Sequence, residues 1–533
     1  VSVAVAFTGT KRLLRASLKY NGRLILPWIA LATILSASSV LVYPLAFPAE
    51  QDRLVLATGI GANPAISLIF GPAFDLMTTD GFNVWRSLAI GGFLIGLMAI
   101  FAVIKGSRAQ EDSGQAELLA SGVLGRSSRL ASAVGLAFLG SLLAGVIVGG
   151  ATIACGGAVE PSLLLGATFT ATGWMCASLA GVTAQLGSEA RTSTMVAVAF
   201  LGVLFLLRGL SYSMQMAEWT IWANPLGWMT ETRPAAGNYW WPLLLAVALS
   251  LVMLGIAFAL QARRDFGQGV IPSRPGAARA KHPGLVSFLF RLNAGSFIAW
   301  SVAFVALGSV FGYFTTSITD ILVENTQVAS FLAAGVTTPS ELTSAFLVTI
   351  FSLMGIIASV AGVQIMLRVR TEEIEDRLEP VLATTVSRWK HYVTNISIAL
   401  LAPSIYVLIA GTLMALIASS ADIGVEFGKT FLQALATIPA VWAVVSVAVF
   451  VVGVRPKVSL AAWLGTVASF GLTLLGPTFK LPDWALGISP FWHVPNVSVS
   501  SPDYSGLVWV IVGTMLICLV GLVGFRRRDI ARV

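Results

Sequence analysis

The sequence is poor in charge and in the side chains that do chemistry. Of its 533 residues only 11% are Asp, Glu, Lys or Arg while 56% are hydrophobic, and the mean hydropathy is +0.85, which excludes an ordinary soluble globular protein. The three histidines, His282, His391 and His493, are too dispersed to propose a metal site. The three cysteines, Cys155, Cys176 and Cys518, lie in or beside apolar runs without paired spacing, which fits small buried side chains and suggests neither a metal site nor a disulfide framework. A GxxxxGK[ST] loop occurs nowhere, and the total polar length is too small for a nucleotide-hydrolysing domain of ordinary size.

What is present is apolar length. About twelve stretches are hydrophobic enough to span a bilayer, near 24–47, 87–104, 130–154, 163–185, 194–210, 241–260, 296–314, 345–367, 393–418, 431–452, 460–475 and 507–524. The expected fold is therefore an all-α polytopic membrane protein.

The formal net charge is +8, but the placement of that charge argues against nucleic acid as a partner. Most Lys and Arg residues cluster at Lys11 to Arg23, Lys105 to Arg129, Arg263 to Arg291, Arg368 to Lys390 and Arg526 to Arg532. The exceptions are Arg53, Arg86, Arg208, Arg233, Lys429 and Lys480. Excess positive charge on one face is the cytoplasmic signature, and it predicts that both termini are cytoplasmic. The opening VSVAVAFTGTKRLLRASLKYNGR has its basic residues after a short apolar start, the reverse of a secretory signal, so it is expected to be retained. Within Phe7 to Arg23, Leu13, Leu14 and Leu18 share one helical face opposite Lys11, Arg12, Arg15 and Lys19, as in an elbow helix lying in the interface. A shorter, less charged copy is expected at Leu285 to Asn293.

The chain also repeats itself. RAQEDSGQAELLASGVLGR (Arg108 to Arg126) aligns without a gap with RTEEIEDRLEPVLATTVSR (Arg370 to Arg388), pairing Arg108 with Arg370, Glu111 with Glu373, Glu117 with Glu379 and Arg126 with Arg388. Further matches occur in order: Val159 and Glu160 with Val425 and Glu426, Gly187 with Gly453, Pro225 and Trp228 with Pro490 and Trp492, and Arg263, Arg264 and Asp265 with Arg527, Arg528 and Asp529. This order indicates duplication of a six-span unit, and an even span number gives two parallel repeats. The expected organisation is a first membrane half over residues 1–262 carrying the loop 108–126, a basic cytoplasmic linker over 263–291, and a second half over 292–533 carrying the loop 370–388.

Each loop is longer than a simple connection and runs from acidic residues through an apolar middle (Leu118, Leu119 and Leu124; Leu378, Val381 and Val386) to a basic end. A short amphipathic helix is expected there, able to dock on a cytoplasmic partner; the alternative is a loop lying on lipid.

With TEE and ExVLATxVSR in Thr371 to Arg388, NPLGW (Asn224 to Trp228), ETRP (Glu231 to Pro234) and YWWPLLLAVAL (Tyr239 to Leu249), the chain resembles the fused-half permeases of type 2 ABC exporters. Among these it is most similar to the actinobacterial tetronasin-type exporters of polyketide and ionophore antibiotics. The resemblance covers essentially the whole chain. It implies the type 2 exporter transmembrane fold in a bacterial inner membrane, and loops that act as coupling helices for two copies of a separate nucleotide-binding subunit. ATP and Mg would then sit on that partner, with no cofactor on this chain and no catalysis by it. The implied coupling residues are Glu111, Glu117 and Arg126 in the first loop and Glu372, Glu373, Glu379 and Arg388 in the second. The first copy departs by carrying Gln110 where the second has Glu372, and Gln115 where the second has Arg377, so unequal coupling by the two halves is expected.

A proton-coupled secondary antiporter shares the six-plus-six plan but needs a titratable group at mid-membrane, and none of these twelve spans contains Asp or Glu. A passage almost free of fixed charge suits hydrophobic or amphiphilic cargo, whether drugs and antibiotics or membrane lipid. Arg208 is the one charge inside a span. Near the external end of its helix it either snorkels outward or lines an external gate, contacting substrate carboxylates or helix carbonyls. Trp228 and Trp492, in the matching aromatic belts, either anchor helices at an interface or cap an exit path.

Overall fold

The computed structural model describes residues 6–57, 64–120, 122–271, 284–324, 339–421, 425–475, 482–499 and 501–529. All regular structure among them is helical, and eleven helices are long and apolar enough to cross a membrane. Contacts divide the chain into two compact units, Val1–Gly276 and Ala277–Val533. His282 and Lys480, and the middle of the basic linker, lie outside the described residues.

The first unit runs α1 Thr10–Asn21, α2 Leu26–Ala46, α3 Glu50–Val55, α4 Pro64–Phe70, α5 Thr79–Gly106, α6 Arg108–Asp112, α7 Gln115–Ala120, α8 Ser128–Ala154, α9 Val159–Leu186, α10 Ala190–Ser213, α11 Glu218–Trp222, α12 Pro225–Thr230 and α13 Pro242–Arg263. Helix α9 is the centre, packed against α5, α8, α10 and α13. Its inward residues are mostly small, and at Gly166 a Cβ would meet the carbonyl oxygen of Gly145 on α8 at 2.3 Å. Lipid tails are as apolar as leucine, so close backbone approach, and not burial from water, is what joins such helices. Local signals set the ends. Thr78 caps α5 by accepting from the Gly81 amide at 3.1 Å, and the Asp80 carboxylate in that first turn accepts from the Ala158 amide at 2.9 Å, tying the starts of α5 and α9 together.

The second unit runs α14 Leu285–Glu324, α15 Pro339–Ile374, α16 Leu378–Leu382, α17 Arg388–Ser420, α18 Phe427–Val454, a 3₁₀ segment Pro456–Trp463, α19 Leu464–Leu475, α20 Asp483–Leu486, a second 3₁₀ segment Pro490–His493 and α21 Ser505–Arg527. Here α18 is central, against α15, α17 and α21. At Gly453 on α18 a Cβ would meet the Gly521 carbonyl oxygen of α21 at 2.1 Å.

Two expectations change. The second elbow is not a separate element, because α14 runs unbroken from Leu285 through the first span. In the first unit a 3₁₀ turn, Gly22–Leu24, and Pro27 at the start of α2 separate elbow from span; residues 293–297 (NAGSF) contain no proline to break the helix. The stretch near 460–475 also differs. Pro456 starts a 3₁₀ segment with a non-helical Val458, and the helix proper is only the 12 residues Leu464–Leu475, beyond which residues 476–481 fall outside the described set.

Candidate functional site

The two repeated hairpins are built on the same internal scaffold. In the first unit Glu111 lies on α6, directly after the long span α5, and its carboxylate is buried with 5% exposure. Arg264, at the end of α13, grips both oxygens: Nη2 donates to Oε1 at 2.7 Å and Nη1 to Oε2 at 2.9 Å. Arg108 adds a 2.6 Å bond to Oε2 and Arg129, opening α8, a 3.2 Å bond to Oε1. The Nε of Arg264 donates to Gln185 Oε1 at 2.6 Å, reaching the end of α9. One guanidinium thus joins the ends of the second, fourth and sixth spans of its unit.

The second unit repeats the device. The Glu373 carboxylate is 2% exposed, bonded by Arg370 Nη1 at 3.0 Å and by Arg528 Nη2. Arg528 Nε donates to the carbonyl of Gly453 near the end of α18 at 3.1 Å. Even the outer arginines match: Arg126 donates to the carbonyl of Arg264, and Arg388 to that of Arg528 at 3.2 Å. Bidentate and charge-assisted bonds of this kind have fixed geometry, and removing one partner of a buried pair costs about 3–5 kcal/mol. Arg528 also lies over Phe525, 4.8 Å from the ring centroid, and Phe525 stacks on Tyr392 at 4.2 Å.

Against the expected coupling set, Glu117, Arg126, Glu379 and Arg388 are exposed on the hairpins. Glu111 and Glu373 are not. Their carboxylates are bonded from within the chain, Glu111 by Arg108, Arg129 and Arg264 and Glu373 by Arg370 and Arg528, so they hold each hairpin from beneath. Glu372 is mostly covered, 16% exposed, with Arg368 at 3.6 Å and Arg377 at 3.9 Å.

The hairpin surfaces differ. The first turns apolar groups outward, Leu118 at 79% and Val123 at 90% exposure. In the second, Leu378 is buried at 2%, Val381 and Val386 are half-buried, and Glu379, Thr384 and Thr385 face out. In the paired register the first copy exposes Leu118 and Val123 where the second exposes Pro380 and Thr385, and the second also exposes Ile374, so the two surfaces differ in their side chains.

Arg208 does not snorkel. Its side chain is buried and donates from Nη2 to the carbonyl of Ile69 at 2.7 Å, one of the free carbonyls that end α4. The next residue but one, Gly71, has φ of 89°, a left-handed backbone that favours glycine. Trp228 is half-buried on α12, its indole N–H donating to the Trp222 carbonyl at 2.6 Å. Trp492 is 51% exposed in its 3₁₀ turn. The structure gives the two matched tryptophans different settings.

Sequence reasoning missed the clamp roles of Arg108, Arg129, Arg264, Arg370 and Arg528. The signal was present, since the basic stop Arg263-Arg264-Asp265 recurs as Arg527-Arg528-Asp529, but it reads equally as topological charge. Helix α4, the partner of Arg208, also went unseen because a run of seven residues, six of them apolar, carries no periodic signal.

The fold and site together define a multi-pass helical membrane protein in which each unit carries a surface hairpin held by a buried ion-pair clamp. The chain matches the family described as "Multidrug efflux system permease Rv1217c, C-terminal domain" over residues 56–260 and 284–526. It is 34% identical over 538 aligned positions to the "Multidrug efflux system permease protein Rv1217c" of Mycobacterium tuberculosis (strain ATCC 25618 / H37Rv), covering 98% of this chain and 96% of that protein. The chain belongs to this multidrug efflux permease family, which is of the ABC type. It is a permease and not an enzyme in its own right.

Proposed function

We propose that this chain is the membrane subunit of an ATP-driven exporter of hydrophobic or amphiphilic compounds, antibiotics among them. ATP and Mg belong to a separate nucleotide-binding subunit, two copies of which engage the hairpins 108–126 and 370–388. The tetronasin-type cargo suggested by the sequence motifs, the bacterial inner membrane and the cytoplasmic placement of both termini are part of the same reading. The observation that carries it is the doubled clamp: in each unit an arginine at the end of the last helix holds the acidic foot of a surface hairpin. A push on such a hairpin is delivered to several membrane helices at once. The acidic residues of the membrane helices lie towards their ends, which suits an externally driven permease better than a proton antiporter.

The test is reconstitution with an ATP-binding-cassette subunit. ATPase activity stimulated by amphiphilic drugs, and lost on charge reversal of the exposed Glu379 together with Arg388, is expected; extrusion driven by a proton gradient without ATP would overturn the reading.

A further inference from the structure

The two units differ in the groove where the first span meets the second. In the first unit a crevice of about 210 Å³ opens between α2 and α5 at the hairpin end, lined by Asn21, Trp28, Met98, Phe101, Lys105 and, from α8, Leu136. A protein cavity of about 150 Å³ is enough for benzene, so this one has room for a segment of an alkyl chain. It is open at the side, with Leu24 46% and Phe101 40% exposed.

In the second unit the same groove is bridged by its own side chains. Asn21 and Trp28 align with Asn293 and Trp300, and Ala102, Lys105 and Gly106 with Gln364, Leu367 and Arg368. Trp300 Nε1 donates to Gln364 Oε1 at 3.3 Å, and Arg368 Nη1 donates to the Leu292 carbonyl at 2.8 Å and to Asn293 Oδ1 at 3.4 Å. Ala102 and Gly106 have no side chain with which to make those bonds. Trp28 instead rests against the Phe101 ring at 5.8 Å, and among the described residues its indole N–H and the Lys105 ammonium have no hydrogen-bond or ion-pair partner.

The charge beside the crevice is of one sign. Lys11, Arg12, Arg15, Lys19 and Arg23 are all exposed on α1 and the turn that follows it, and residues 1–49 contain no acidic residue. No carboxylate of the described residues pairs with any of these cations. The matching stretch of the second unit, residues 285–297, carries only Arg291. Tryptophan and lysine at the end of a span lie at the level of lipid head groups, where clustered basic residues favour anionic lipid.

We propose that this crevice binds an anionic phospholipid of the surrounding bilayer, its phosphate resting on Lys105 at the mouth and the upper part of one acyl chain lying between Trp28, Met98 and Phe101. The rest of the lipid follows the apolar face of α2, where Leu31 and Ile34 are 53% and 64% exposed. Helix α5 ends one residue after Lys105 and leads directly to the hairpin foot at Arg108 and Glu111, so the lipid sits beside the hairpin of one unit only.

Full-length protein in neutral detergent is titrated with dioleoyl phosphatidylglycerol and with dioleoyl phosphatidylcholine, and the retained lipid is counted by native mass spectrometry. Neither ATP nor an ATPase subunit is present, so the outcome is independent of the exporter reading. The first phosphatidylglycerol is expected to bind about five- to tenfold more tightly than the first phosphatidylcholine, the scale of one basic contact with an anionic head group. Lys105 is exposed, so its replacement leaves the fold intact; Lys105→Gln should bring phosphatidylglycerol to the phosphatidylcholine affinity, and Lys105→Arg should keep the preference. Ala102→Phe fills the crevice with Lys105 in place and should also remove the tight phosphatidylglycerol. Lys390→Gln deletes an equal charge from the exposed start of α17 in the other unit and should leave binding unchanged. A loss there equal to that of Lys105→Gln would show a general attraction of basic residues and overturn the site. A preference that survives either Lys105→Gln or Ala102→Phe in folded protein would overturn it too. Displacement of the lipid by an equimolar long-chain fatty acid would assign the crevice to anionic cargo instead.

Discussion

Glu111 and Arg264 face each other across two parallel hydrogen bonds of 2.7 and 2.9 Å, one residue at the foot of a hairpin and the other at the end of the last helix of the same unit. Both are almost fully buried. The pair is matched in the second unit by Glu373 and Arg528, which makes it the most specific feature shared by the two repeats.

The first prediction concerns that pair. Glu111→Gln leaves Arg108, Arg129 and Arg264 without their shared carboxylate and should lower stability by about 3–5 kcal/mol, whereas Arg264→Gln leaves Glu111 paired with Arg108 and Arg129 and should cost less. The double substitution should cost less than the sum of the two singles, because the Glu111–Arg264 bonds are lost in each single and can be lost only once. Thermal unfolding of the four proteins in detergent gives the coupling energy; strict additivity would mean that the clamp contributes nothing as a pair.

The second separates scaffold from surface. Leu118 is 79% exposed, so Leu118→Asp should change stability by no more than about 0.5 kcal/mol. Under the coupling reading it should still reduce co-purification of the ATPase subunit several-fold. Val381→Asp in the other hairpin, where the side chain is half-buried, should act chiefly on stability. Equal binding losses with no stability difference would contradict the asymmetry of the two tips.

A third prediction tests the extra glutamate. Glu372 adds ion pairs at 3.6 and 3.9 Å that Gln110 has no charge to make, but these contacts are long and partly solvated. Glu372→Gln should therefore cost about 0.2–1 kcal/mol, well below the loss from Glu373→Gln. Urea or thermal titration of both variants ranks them, and a reversed order would show that the outer carboxylate bears the hairpin.

The fourth concerns helix approach. At Gly145 a Cβ would meet the Gly166 carbonyl oxygen at 2.3 Å, whereas at Gly150 on the same helix nothing lies within 4 Å. Gly145→Val should force α8 from α9 at a cost of about 1–3 kcal/mol or more, and Gly150→Ala should be close to neutral. Melting temperatures of the purified variants decide this.

The hairpins, the duplication and most membrane helices were legible because each depends on local composition: long apolar runs, clustered basic residues, and a repeated polar string. The destinations of side chains were not. Glu111 and Glu117 look alike in sequence, both acidic and within one hairpin, yet one is enclosed by Arg108, Arg129 and Arg264 and the other is exposed. Leu118 is exposed and Leu378 buried although both belong to the apolar middle of a hairpin, because they stand two positions apart in the repeat register. For Arg208 the sequence left open outward snorkelling or contact with helix carbonyls, and α4, brought against α10 from far along the chain, supplies the carbonyl of Ile69.

By itself the sequence determined that this is an all-helical, polytopic membrane protein, because bilayer thickness and backbone hydrogen bonding make spanning helices a matter of local hydrophobicity. Only the tertiary structure decided which glutamates serve as internal clamps, which hairpin presents an apolar tip, and that Arg208 is enclosed beside a crevice. Those outcomes depend on where charges from distant helix ends meet, and a charge buried beside another has consequences that its neighbours in sequence do not reveal.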